Sequence, residues 1–165
     1  MQARKIVAVG VAAAALVTLV AQGAWSRSGG LSTQQMADLY QISQIEATWH
    51  RSTSRKNLDM MMSLWAPGGT ITAGGQTLTG KTAIRSFFAK AGPFQTENDW
   101  VSETPAYKMR ATLHGSKATF YFECHYVDVP TAKLVAVVGV DANLQKIGGR
   151  WLITNMTAGS PTLKR

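Results

Sequence analysis

One cysteine, Cys124, stands among 165 residues, so no disulfide can form within the chain and packing must hold the fold. Cys124 lies inside an aromatic strand pattern, the setting of a small buried hydrophobe, with no basic residue arranged to activate a thiol. Acid is also scarce: 9 Asp and Glu face 17 Lys and Arg, a formal charge of +8. The basic residues are scattered singly, which describes a solvated basic surface or, alternatively, attraction to an anionic membrane, cell-wall polymer or acidic ligand. No basic and aromatic motif accompanies them, so nucleic acid is not an expected partner. The three histidines, His50, His114 and His125, form no cluster at metal-ligand spacing with Cys, Asp or Glu, and no metal is expected. Gly74-Gly75 and Gly148-Gly149 are turn pairs, and Gly80-Lys81-Thr82 lacks the upstream glycine and strand of a phosphate loop. No cofactor is expected, and no internal repeat is present.

The long apolar run is N-terminal. MQARK is a basic n-region, residues 6–20 are apolar apart from Gly10 and Thr18, and Ala21-Gln22-Gly23 offers a small-residue cleavage site. Residues 1–23 read as a signal peptide with Ala24 as the mature N-terminus. The alternative is an uncleaved membrane anchor over residues 6–25, long enough to span, with Trp25 and Arg27 at the interface. Either reading puts the globular part outside the cytoplasm: periplasmic, cell-surface or secreted. Removing Arg4 and Lys5 with the leader leaves a net +6. Residues 24–32 form a polar linker, 33–159 one domain, and 160–165 a tail with nothing to pack.

Within the domain, Ser32 or Thr33 caps a first helix whose Met36, Leu39, Ile42, Ile45 and Trp49 recur at helical spacing. Glu46 and His50, four apart, lie beside that face. Asn57 caps a short helix carrying Leu58, Met61, Met62 and Trp65, which stops at Ala66-Pro67-Gly68-Gly69. A tight hairpin turns at Ala73-Gly74-Gly75, and a third helix carries Ile84, Phe87 and Phe88. Residues 94–99 are the least patterned stretch and read as a mobile loop over a cavity mouth. Strands follow at 100–103, 107–114, 117–128, 133–147 and 150–158, with turn signals at Gly115-Ser116 and Gly148-Gly149. In 118–128, Phe120, Phe122, Cys124 and Tyr126 point one way, toward the helices, and Tyr121, Glu123, His125 and Val127 the other. The run 134–140 is apolar on both faces, which implies cover on both sides; a homodimer through the sheet supplies the outer one. The fold class is α+β: three N-terminal helices packed on a strongly curved antiparallel sheet, forming a cone with an internal cavity.

Four pieces of this pattern carry a resemblance: Trp49 late in the first helix, NLDMMMSLWAPGGTIT at 57–72, LTGKTAIRSFF at 78–88 and KIGGRWLI at 146–153. In order and spacing they resemble the SnoaL-like branch of the nuclear transport factor 2-like superfamily, the fold shared by ketosteroid isomerase and scytalone dehydratase. The resemblance implies a cavity between the first helix, the third helix and the concave sheet. It also places Trp49 where ketosteroid isomerase carries its oxyanion-hole tyrosine, Ala73 where that enzyme keeps its carboxylate base, and Asp141 near its second, protonated acid. An indole donates one hydrogen bond and alanine moves no proton, so isomerase chemistry by that route is not expected.

The expected ligand pocket is lined by Trp49, Trp65, Phe87, Trp100, Tyr126 and Asn155, and its occupant is a small apolar molecule. The candidates for chemistry are Asp141, His50 and His125. Burial of Asp141 among valines would raise its pKa; otherwise it is a strand-end carboxylate answering Lys133 or Arg150. His50 reaches the cavity rim or forms a surface pair with Glu46, and His125 faces outward beside Glu123. Three functions follow: an exported, non-catalytic binder, a small-molecule isomerase, cyclase or dehydratase using Asp141 with a histidine, and a membrane-anchored accessory subunit.

Overall fold

In the computed structural model, which describes residues 30–162, Ser32 opens α1 (Thr33–Ser54) with a reciprocal cap. The Gln35 N–H donates to Ser32 Oγ at 3.1 Å, and the Ser32 N–H to Gln35 Oε1 at 2.8 Å. The signal peptide or anchor and residues 24–29 of the linker lie outside the described residues. The buried line of α1 is Asp38, Ile42, Ile45, Trp49 and Thr53. Met36, read as part of that face, is 53% exposed: the period is helical, but Asp38 takes the inward position in the first turns.

Asn57 caps α2 (Leu58–Met62), its Oδ1 accepting the Met60 N–H at 2.9 Å. Trp65 opens a strand instead of ending this helix. It begins β1 (Trp65–Ala73), which turns through Gly74-Gly75 into β2 (Gln76–Thr79). Pro67-Gly68-Gly69 sits in an irregular part of β1. There a Cβ on Gly69 would lie 3.1 Å from both the Trp65 ring and the Ile153 carbonyl oxygen. Next come α3 (Lys81–Phe88), a 3-10 turn (Gly92–Phe94), β3 (Trp100–Glu103), a second 3-10 turn (Ala106–Lys108), β4 (Met109–His114), β5 (Lys117–Asp128), β6 (Lys133–Ile147) and β7 (Arg150–Gly159).

The seven strands form one curved sheet in the order β2-β1-β7-β6-β5-β3, with β4 also paired to β5. It is mixed, not purely antiparallel, because β1 and β7 run parallel. Such a pair needs a long crossover, here most of the domain, and leaves no local turn signal in the sequence. Irregularities between Tyr126 and Val127 and between Asn143 and Leu144 interrupt the longest ladders, where bulges sharpen strand bending. The helix α1 packs against β3, β4, β5 and β7, and α3 against β1 and β2. Between helices and sheet lies a core of Ile42, Ile45, Trp65, Ile84, Phe122 and Met156. Trp49 centres an edge-to-face cluster, 5.3 Å from Phe88 and 5.6 Å from Phe122 between ring centroids.

Two contacts tie distant parts of the chain together. Asp38 on α1 accepts from Lys146 Nζ at 2.6 Å and from Trp151 Nε1 at 3.0 Å, fixing the helix to the β6–β7 hairpin. Residues 160–162 pack, contrary to the reading of the tail as having nothing to pack; 163–165 lie outside the described residues. Pro161 and Ser160 lie so close over Gly139 that a Cβ there would sit 2.8 Å from Pro161 Cα. The Thr162 N–H donates to the Tyr121 hydroxyl at 3.1 Å. Residues 94–99 are likewise anchored: Phe94 is buried, and Lys56 Nζ donates to the carbonyl of Gln95 at 2.8 Å and to that of Asn98.

Candidate functional site

A pocket of about 420 Å³ lies between α1, α3 and the sheet. Its walls are apolar: Phe87 and Phe88 from α3, Ile71 and Ala73 from β1, Phe94 at the end of the first 3-10 turn, and Val138, Val140 and Ala158 from β6 and β7. Its polar content comes from Trp49 and Thr53 on α1 and from Cys124 and Tyr126 on β5, with Ser160 of the tail. Alternation explains this placement. Cys124 and Tyr126 share the inward face of β5 with Phe120 and Phe122, and pair across β6 with Val138 and Ala136.

The side chains at that polar end are neutral. Burial pushes the Cys124 thiol up to about 12, so it stays protonated and inert, as a small buried hydrophobe does. Burial also holds the Tyr126 hydroxyl well above the usual phenol range, with Cys124 adding to the shift; Trp49 and Ser102 act the other way without reversing it. Trp49 Nε1 is buried without a well-formed hydrogen bond, and its N–H lies close enough to Cys124 and Tyr126 to favour the ionised form of each. Trp65 Nε1 is likewise buried and unpartnered.

Behind Tyr126 sits a polar chain. Ser102 pairs with Tyr126 across β3 and β5, and Ser102 Oγ lies 2.5 Å from His50 Nδ1. His50 Nε2 is 3.0 Å from Glu46 Oε1 and 2.6 Å from Thr104 Oγ1. The Thr104 hydroxyl in turn donates to the Glu123 carbonyl at 2.5 Å. The Glu46–His50 pair of the sequence reading therefore exists. It is not a surface pair, because β3 covers the ring and leaves His50 8% exposed.

The other sequence-derived residues divide by face. Trp49, Phe87 and Tyr126 line the pocket. Trp65 is fully buried beneath Phe88, 6.3 Å between ring centroids, and belongs to the core instead of the lining. Trp100 packs on Tyr126 at 6.2 Å from outside the lining. Asn155 points outward and donates to Thr70 Oγ1 at 2.7 Å. Asp141 is exposed on the same outer face, because Val140 and Ala142 take the inward positions on either side of it. His125 also faces outward and lies 3.0 Å from Glu123 Oε2. Glu123 itself is 2% exposed. Burial pushes its carboxyl up, but hydrogen bonds from His125, Lys108 and Tyr121 outweigh this and hold it below the usual range. Sequence reasoning missed Ser102 and Thr104; the only signal was two hydroxyls flanking Glu103 on a short strand.

Among the described residues, no group of three or more His, Cys, Asp or Glu side chains is placed to hold a metal ion. No helix there is long and apolar enough to cross a membrane. The SnoaL-like domain model matches residues 34–157, the whole helix-and-sheet unit just described. The chain belongs to the SnoaL-like family. No curated protein matches this sequence. Solved structures show the fold of this SnoaL-like domain at low identity. A cystatin-like-fold protein of unknown function from Nostoc punctiforme aligns with a TM-score of 0.67 and 15% identity, over 82% of this chain and 98% of its own. A proposed dehydratase of the nuclear transport factor 2-like family from Streptomyces avermitilis aligns with a TM-score of 0.61 and 16% identity, over 78% and 99%. A proposed ketosteroid isomerase from Shewanella frigidimarina gives 0.59 and 16%, over 72% and 94%.

Proposed function

We propose that this SnoaL-like domain is an exported binding module, a cone whose internal cavity holds one small, largely apolar molecule. The observation that carries the reading is the 420 Å³ pocket walled by Phe87, Phe88, Phe94 and the β6 valines, a size suited to a two- or three-ring molecule. Burying about 250 Å² of ligand surface at ~25 cal/mol per Å² gains roughly 6 kcal/mol, which corresponds to affinities of about 10–100 µM. The outward positions of Asp141 and His125 favour binding over isomerase, cyclase or dehydratase chemistry, since neither group lines the pocket. The names of the Streptomyces and Shewanella relatives keep a reaction as the second reading. That reading would need a proton-handling group other than the carboxylate the resemblance suggested.

The test is a titration of the purified domain with the neutral fluorophore N-phenyl-1-naphthylamine. Saturable enhancement with one site per chain is expected, weakened about tenfold or more by Ala73→Phe, which fills the pocket. An Ala73→Phe protein that folds and binds the fluorophore unchanged would overturn the reading. Export rests on the basic n-region and apolar run of residues 1–23. Mass spectrometry of the native chain is expected to find Ala24 first, whereas an intact N-terminus in the membrane fraction would favour the anchored accessory subunit. Exposed Val101 and Leu134, flanking half-buried Val127 across β3, β5 and β6, support a second copy of the chain as partner on the outer face.

A further inference from the structure

No charged side chain lines the pocket, so nothing within it selects an ionic group. Beside it lies a second hollow, a groove of about 540 Å³ between β2 and α3, lined by Gln76, Leu78, Ala83, Ser86 and Lys90. The two hollows share a boundary, because Phe87 and Ala91 line both. The β1–β2 hairpin forms the same junction from the other side. Ala73 lines the pocket, and Gln76, its partner across the Gly74-Gly75 turn, lines the groove. Phe87, half-buried and edge-on to Phe88 at 5.4 Å between centroids, stands where one hollow gives way to the other. The groove is apolar along Leu78 and Ala83 and basic at its rim. Lys90 is the only charged residue that lines either hollow. Its exposed ammonium makes no hydrogen bond or ion pair among the described residues, whereas Arg85 on the same helix is held by Asp59 at 2.6 Å. An ammonium carries three donors and no acceptor, so an anionic acceptor is the group that completes this rim.

We propose that the ligand is an elongated apolar acid, with its hydrocarbon body in the pocket and its carboxylate at Lys90. The body passes from one hollow to the other between Phe87, Ala91 and the hairpin. Burial of the hydrocarbon supplies most of the affinity. Lys90 is exposed, so its attraction is modest and screened by salt, and its role is to choose among amphiphiles of the same length. This assignment rests on the binding reading given above and adds the chemical class of the occupant.

Three probes that differ only in the head group test it: decanoate, 1-decanol and decylammonium, each titrated to displace N-phenyl-1-naphthylamine at pH 8 and low salt. Decanoate is expected to bind about three- to fivefold more tightly than 1-decanol, with decylammonium weakest, and added salt is expected to draw the three together. Lys90→Gln is expected to bring the decanoate-to-decanol ratio close to one and Lys90→Arg to keep it. Lys117→Gln removes the same charge about 23 Å along β5 from Cys124 and is expected to leave the ratio unchanged. Ala73→Phe is expected to weaken decanoate about tenfold. Equal binding of all three probes overturns the acid assignment and leaves the pocket standing. A ratio unmoved by Lys90→Gln, or lowered as much by Lys117→Gln, also overturns it. Decanoate that still binds Ala73→Phe unchanged, yet depends on Lys90, overturns the placement of its body in the pocket. Failure of 1-decanol and decanoate alike to displace the fluorophore overturns the binding reading and this assignment with it.

Discussion

Buried carboxylates survive in this small domain because each is met by several donors. Asp38 takes hydrogen bonds from Lys146, Trp151 and Gln34, and these, Lys146 first, hold its carboxyl below the ordinary 3.8 despite burial. Glu123 is held below 4.5 although burial pushes the other way. A carboxyl whose folded pKa lies below its unfolded value stabilises the fold fully above the unfolded value, and the benefit fades as pH falls through the folded one. Thermal stability should therefore be level from neutral pH down to about pH 4.5 and fall below it. The fall should be shallower in Asp38→Asn and Glu123→Gln than in the native chain. Melting curves from pH 7 to pH 2.5 check this, and parallel slopes in all three proteins would refute it. Of these two residues, the sequence disclosed the facing of Glu123 but not its burial. Asp38 was invisible, because Lys146 and Trp151, which bind it across the fold, lie more than 100 positions away.

At the scale of elements, local signals were read best. The capping oxygen of Ser32, the Asn57 cap, and the hairpins at Gly74-Gly75, Gly115-Ser116 and Gly148-Gly149 all form as their residue types require. Where neighbours in space decided, the reading slipped. Trp65 continues the helical spacing of α2 yet opens β1, because its backbone pairs with Ile153 of β7. The tail depends on such a spatial neighbour too: Gly139 lacks the side chain that would meet Pro161 and Ser160. Gly139→Ala should displace the tail, speed amide exchange at Thr162, and lower the melting temperature by roughly 4 °C if about 1 kcal/mol is lost. Unchanged exchange at Thr162 would mean the crossing has no such role.

At the scale of the whole molecule, the sheet carries two unlike faces. The inner face builds the pocket. On the outer face, Arg110, Asp141 and Asn155 line a polar groove, and a short apolar strip lies separately at the β3–β5–β6 end. If a second copy covers that strip, Leu134→Glu should shift sedimentation from dimer to monomer while leaving fluorophore binding within about twofold, since Leu134 does not line the pocket. A native chain that sediments as a monomer at high concentration would remove the dimer.

The sequence by itself determined the element order, the family and the inward facing of Phe122, Cys124 and Tyr126, because caps, turns and alternation act over a few residues. Only the tertiary structure decided that β1 runs beside β7, that Asp141 faces out, and that His50 is sealed against Ser102 and Thr104. Those outcomes depend on strand pairing and on bulges that set which side of the sheet a residue reaches. No short window of sequence records that.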